Sequence, residues 1–274
     1  MIETWSCKNC KATPGTAATQ VVTTWSHIYP TTSGYLALSD VLKAIVVAFR
    51  GTAINLSVII DLQFNLRPLK EFIPNISSDD KVKVHNGFGK AYAKSRASFY
   101  TQLRQLMNAY PDYKVYVTGH SSGAAQAALC AVDLANSFST ANKARLQVYL
   151  YGQPRTGNPE FAHYYQSLGL PTFRVVNKMD IVPVLPLVSM GYLHHKQQYW
   201  YTNVDSLDGM GIKRCDALQD DGEDMPCFGS DKPLLSHSVW DHLPTAYLTS
   251  LASMVMVDIQ AESGGLAYPL QVYV

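Results

Sequence analysis

The residues best placed for chemistry centre on Ser121, in Gly119-His120-Ser121-Ser122-Gly123, where the β-branched run Lys114-Val-Tyr-Val-Thr gives way to an alanine-rich stretch. A G-x-S-x-G pentapeptide between strand and helix is a nucleophile elbow, whose strained turn lifts the serine Oγ clear of the backbone. A serine hydroxyl is a poor nucleophile at neutral pH. It needs a base, usually histidine, and that imidazole needs a carboxylate to fix its tautomer. Where an elbow carries the serine, acid and histidine follow it in that order. Asp180, in Asn177-Lys-Met-Asp180-Ile-Val-Pro183, falls just past a strand and is the expected acid; the competing reading is a turn or cap aspartate before proline. His194, His195, His237 and His242 come later. His194 and His195 open a strand-like segment and read as structural. His242, in Trp240-Asp241-His242-Leu243-Pro244, is the expected base, with His237 as the alternative.

Alternating strands and helices must position these groups, which implies an α/β fold of the α/β-hydrolase type, with a mostly parallel central sheet and helices on both faces. Ala44–Phe49 reads as a buried strand. Phe88, Tyr92, Phe99, Leu103, Leu106 and Tyr110 recur at helical spacing until Pro111. The nucleophile strand follows, then a helix to about Ala135 and strands at Gln147–Tyr151 and Thr172–Val176. No element is assigned between Asn203 and Ser236, and Ala246–Val257 reads as a core helix, too short for a bilayer.

The 274 residues are 47% hydrophobic and 16% charged with net charge +1, enough to bury a large core in one domain. Scattered basic residues, with no zinc-ligand spacing, P-loop or dinucleotide fingerprint, exclude a nucleic-acid partner and imply no cofactor or metal. The N-terminus lacks the pattern of a signal peptide. The cysteines point to an oxidising compartment: Cys7 and Cys10 as one local disulfide, Cys215 and Cys227 as another, with Cys130 a buried thiol. A redox C-x-x-C is disfavoured because Lys11-Ala-Thr-Pro-Gly reads as a turn. Asn55 and Asn75 sit in glycosylation sequons.

The chain resembles the fungal class 3 lipases, the Rhizomucor and Rhizopus type. The matching pieces are Thr4–Cys10, Ala48-Phe-Arg-Gly-Thr52, Val84-His-Asn-Gly-Phe88, Val117–Ser121, Gly152-Gln-Pro-Arg155, Asn177–Pro183 and Asp241-His-Leu243. The resemblance implies Ser121, Asp180 and His242 as a triad, and a secreted, monomeric enzyme that cleaves lipid esters at an oil–water interface. It also implies an oxyanion hole from Ser122 and Thr52, each presenting a backbone N–H, although Thr52 also reads as a helix N-cap.

The apolar segment 53–62 takes the position of the family's helical lid. Exposing about 400 Å² of apolar surface there would cost about 10 kcal/mol in water, so a lipid surface would favour opening. A buried core helix is the other reading, and Val58 and Ile59 stand where the family lid often has tryptophan. These two, with Val182, Leu185 and Leu187, are expected walls of the acyl groove; core packing serves the last three equally well. Ser122 and Ala124 depart from the family's G-H-S-L-G-G, the family's extra N-terminal helix and the disulfide that ties it to the C-terminus are not recognised in this sequence, and the tail 249–274 has no recognised family counterpart. An esterase for soluble or feruloyl-type esters is the alternative activity, and a non-catalytic lipid-binding protein the alternative class.

Overall fold

The computed structural model describes residues 3, 19–51, 64–74, 76–196, 198–202, 212–215, 236–243 and 247. An eight-stranded sheet organises them, in the order β1-β2-β3-β6-β7-β8-β9-β10. Its strands are β1 (Thr19–His27), β2 (Thr32–Ser39), β3 (Ala44–Arg50), β6 (Lys114–His120), β7 (Leu146–Tyr151), β8 (Thr172–Asn177), β9 (Gln198–Tyr201) and β10 (Ile212–Cys215). Strands β3, β6, β7, β8 and β9 run parallel; the hairpin β1–β2 and strand β10 close the two edges antiparallel. A two-stranded ribbon, β4 (Leu66–Pro68) and β5 (Lys83–His85), lies apart.

Parallel neighbours need crossovers, and the helices supply them. Helix α1 (Asn86–Ala109) joins β5 to β6, α2 (Ser122–Ser137) joins β6 to β7, and α4 (Pro159–Ser167) joins β7 to β8, with the single turn α3 (Thr140–Lys143) after α2. His85 caps α1: its Nδ1 accepts from the backbone N–H groups of Gly87 and Phe88 at 3.1 and 3.3 Å. The ring is held neutral, because burial lowers its pKa to about 4.

The described helices α1, α2 and α4 share one core with Val115, Val117, Val148 and Leu150. Period-two alternation puts Tyr116, Tyr149, Phe173 and Tyr199 on the other face, where their rings touch in a ladder. Tyr247 packs there too, against Tyr151, Val175 and Tyr201. The alanines of α2 let it lie close to the sheet, and Asp133, fully buried on it, takes hydrogen bonds from Tyr92 (2.6 Å) and Arg96 (2.5 Å) of α1.

Strand β10 corrects the unassigned stretch between Asn203 and Ser236; four residues carry too little pattern to be read alone. Cys130 is a free, buried thiol, and Cys215 is disulfide-bonded, while Cys7, Cys10 and Cys227 lie outside the described residues. So do segment 53–62, Asn55, Asn75 and the tail 249–274. Among the described residues no helix is long and apolar enough to cross a membrane.

Candidate active site

Ser121 follows the last residue of β6, fourth of eight strands, with φ 58° and ψ −131°. That backbone is strained for any L-residue, and the surroundings must hold it. They do so by close approach. A Cβ on Gly123 would lie 2.3 Å from the Phe49 carbonyl oxygen, and one on Gly119 would lie 2.3 Å from the Gly123 carbonyl oxygen. The Ser121 N–H is bonded to the Tyr151 carbonyl at 2.9 Å, pinning the turn to β7.

Asp180 lies in the turn after β8 and is fully buried. One of its oxygens, Oδ1, accepts from the Val182 N–H at 2.8 Å, while Oδ2 accepts from His242 Nδ1 at 2.8 Å and from the Tyr247 hydroxyl. A carboxylate only accepts, so Nδ1 carries the proton and Nε2 of the neutral ring keeps its lone pair. Both Nε2 of His242 and Oγ of Ser121 are buried, and neither has a hydrogen-bond partner among the described residues. The carboxylate is bonded to His242, not to His237.

The loop bearing His242 is tied to the acid turn. Asp180 and Ser238 form a parallel bridge, the Asp241 carboxylate accepts from the Met179 N–H at 3.2 Å, and the Asn177 amide donates to the Asp241 carbonyl at 3.1 Å. From below, Arg155 donates to the carbonyls of Val184 and Pro186, bracing the chain that follows Asp180. His194 and His195 are structural, as expected. His194 Nε2 donates to the Pro183 carbonyl at 2.8 Å; His195 bonds Gln153 at 3.1 Å and stacks on Tyr165, its pKa lowered to about 3 by burial and then by Arg174.

Three residues escape sequence reasoning. His120 donates from Nε2 to the His242 carbonyl at 2.9 Å and stacks on the His242 ring at 4.6 Å; burial, then the neighbouring His242, lowers its pKa to about 3. Gly152, at φ 54°, leaves room where a Cβ would meet Asp180 and His242. Tyr247 reaches Asp180 from a segment whose sequence reads only as apolar. The pentapeptide and the Gly-Gln-Pro-Arg motif contain the first two, but neither spacing announces these contacts.

Ser122 opens α2 immediately after the serine. Thr52, Val58 and Ile59 lie outside the described residues, although Gly51 packs so closely that a Cβ on it would fall 3.1 Å from the Ser121 Cβ. Val182 and Leu185 are buried with Val176 and Val184 in a small apolar cluster. Leu187 is 39% exposed.

A mostly parallel sheet with a strained serine at a strand-to-helix turn, and an acid and histidine delivered by later loops, defines an α/β-hydrolase. The class 3 lipase model matches residues 46–190. The lipase of Rhizomucor miehei is 38% identical over 200 residues, 73% of this chain and 52% of that protein. The secreted mono- and diacylglycerol lipase A of Penicillium cyclopium is 32% identical over 195 residues, 71% of this chain and 60% of its own length. A solved triacylglycerol lipase, whose catalytic centre is a serine-protease triad, superposes with a TM-score of 0.74 at 36% identity, covering 87% of this chain and 83% of that one. The chain belongs to the class 3 lipase family. It spans about half the length of the Rhizomucor relative.

Proposed function

We propose that the protein is a secreted serine hydrolase that cleaves carboxylic esters of lipids, acylglycerols above all. One observation carries this reading: a buried serine hydroxyl on a strained turn directly follows His120, whose ring stacks on His242, and the His242 imidazole is oriented by a buried carboxylate. Ser121 Oγ attacks the ester carbonyl as His242 Nε2 takes its proton, and Asp180 stabilises the imidazolium. The Ser122 and Thr52 N–H groups receive the negative charge of the tetrahedral intermediate. His242 then protonates the leaving alcohol, and water repeats the sequence on the acyl-enzyme. Leu187, partly open, serves as a wall for the acyl chain. The names of the similar proteins support acylglycerols over feruloyl-type esters.

The test is a chain-length series of p-nitrophenyl esters on the protein and on Ser121→Ala. The expected loss in kcat is at least about three orders of magnitude, by analogy with triad deletions. Hydrolysis undiminished in the variant, or no labelling of Ser121 by a fluorophosphonate, would leave the non-catalytic reading. Tributyrin assayed across its solubility limit separates the two activities: a jump on emulsion formation indicates a lipase, smooth saturation an esterase.

A further inference from the structure

The sheet has two unlike edges. Strands β3, β6, β7 and β8 all end on the edge that carries Ser121, and the antiparallel pairing of Ser33 with Arg50 and of His27 with Thr32 places the β1–β2 turn on that same edge. At the tip of this turn Ile28 and Tyr29 are 93% and 91% exposed. On the loop that brings in His242, Trp240 is 78% exposed. Val188 and Met190 are exposed as well, in the segment after the acid. That segment returns to the same end of the molecule: the Tyr192 hydroxyl donates to the Phe64 carbonyl at 3.1 Å, near the start of the ribbon leading into α1.

Apolar side chains of this size are singly unremarkable on a surface, but here they ring a site. Charge sharpens the contrast. Neither Thr19–Ser39 nor Ile181–His195 contains an Asp, Glu, Lys or Arg, whereas the opposite edge, where the parallel strands begin, carries Asp40, Lys43, Asp112, Lys114 and Arg145. Tyrosine and tryptophan favour a boundary between oil and water, with the ring in the apolar phase and the polar atom at its margin. Adhesion to anionic membranes instead uses clusters of cations, whereas Arg50 at the end of β3 and Lys178 after β8 are set apart by strands β6 and β7.

We infer that the edge around Ser121 docks on an electroneutral acylglycerol surface, with Ile28 and Tyr29 on one flank and Trp240 on the other as the side chains that enter the oil. This rests on the proposed lipid-ester hydrolysis. It adds that the protein holds the surface through its own fold, with the reacting hydroxyl between the two anchors.

The experiment uses Ser121→Ala protein, which consumes no lipid, with triolein droplets coated in phosphatidylcholine; bound protein is measured by flotation. Burying one such side chain is worth about tenfold or more in partitioning. The double change Ile28→Ser with Tyr29→Ser, and separately Trp240→Ser, should each weaken binding at least about tenfold. With Ser121 intact, the Ile28→Ser, Tyr29→Ser protein should keep its kcat on soluble p-nitrophenyl butyrate.

Undiminished flotation of both variants, while the wild type hydrolyses the soluble ester, would overturn the docking face and leave the hydrolase reading intact. Binding confined to phosphatidylserine vesicles and abolished by salt would overturn it in favour of an anionic membrane. A wild-type dimer dissociated by the Ile28→Ser, Tyr29→Ser change, with flotation unaltered, would assign the patch to a second copy. Absence of any hydrolysis of the soluble ester by the wild type would strike at the function itself.

Discussion

Replacing Gly152 by alanine tests the geometry of the acid–base pair directly. The added Cβ would lie 2.9 Å from Asp180 Oδ2, 3.0 Å from His242 Nδ1 and 3.1 Å from His242 Cε1, whereas ordinary contact begins at 3.4 Å. The carboxylate must therefore retreat by about 0.5 Å, and the imidazole by about 0.4 Å, from a hydrogen bond now 2.8 Å long. Misplacement by about 1 Å can cost about 100-fold in rate, so a fall in kcat of about 10- to 100-fold is expected on a soluble p-nitrophenyl ester. Alanine at φ 54° adds about 1 kcal/mol of backbone strain, or a few degrees in Tm for a domain of this size. Gly169→Ala is the control: its φ is 63°, yet nothing lies within 4 Å of the new Cβ, so it carries the strain without the collision. Both variants should melt a few degrees early, and only Gly152→Ala should lose activity. A folded Gly152→Ala protein within threefold of the wild-type kcat would refute the assignment of Asp180 and His242 to the relay.

Other expectations follow from the same contacts. Tyr247→Phe removes a hydrogen-bond donor to the Asp180 carboxyl group; kcat should fall about tenfold with KM unchanged, and a rise in KM alone would contradict a role through the acid. Gly123→Ala drives a methyl into the backbone of Phe49 and Arg50, so calorimetry should show either a loss of about 3 kcal/mol or more, or no folded protein. Acid should destabilise the fold through its buried neutral histidines. His85, His120 and His195 titrate near 4, 3 and 3 when folded, against 6.5 in the unfolded chain. Below pH about 6.5 the unfolded state binds more protons, so stability is level above that pH and falls beneath it, by up to about 1.4 kcal/mol per pH unit for each histidine. Urea midpoints between pH 7 and 5 report this slope. His85→Asn, which keeps a cap on α1 but cannot titrate, should make it shallower.

The contiguous features were legible in the sequence. Ser121 announces itself because elbow chemistry demands small residues at fixed offsets, and α1 because its apolar stripe runs until Pro111. The strands read at Ala44, Gln147 and Thr172 are present as β3, β7 and β8 within a residue or so at their ends. Asp180 and His242 could be ordered along the chain, yet their meeting depends on the bridge to Ser238 and the contacts of Asp241, which join residues far apart in the sequence. Val182 and Leu185 stay ambiguous in the sequence because an apolar residue beside an acid looks the same whether it faces substrate or core. His120, Gly152 and Tyr247 carry no signature, since their roles arise from what folding places beside them.

The serine is mounted on an interior strand, whereas its histidine rides on a loop fastened by a handful of polar links to the turn after β8. Warming should loosen that tether well before the sheet comes apart, so heat would silence the protein in two stages, the first recovered on cooling. Efforts to extend its working life would then gain little from tightening an interior that is already dense. A staple across the tether, securing the loop without touching the reacting atoms, is where durability is to be sought.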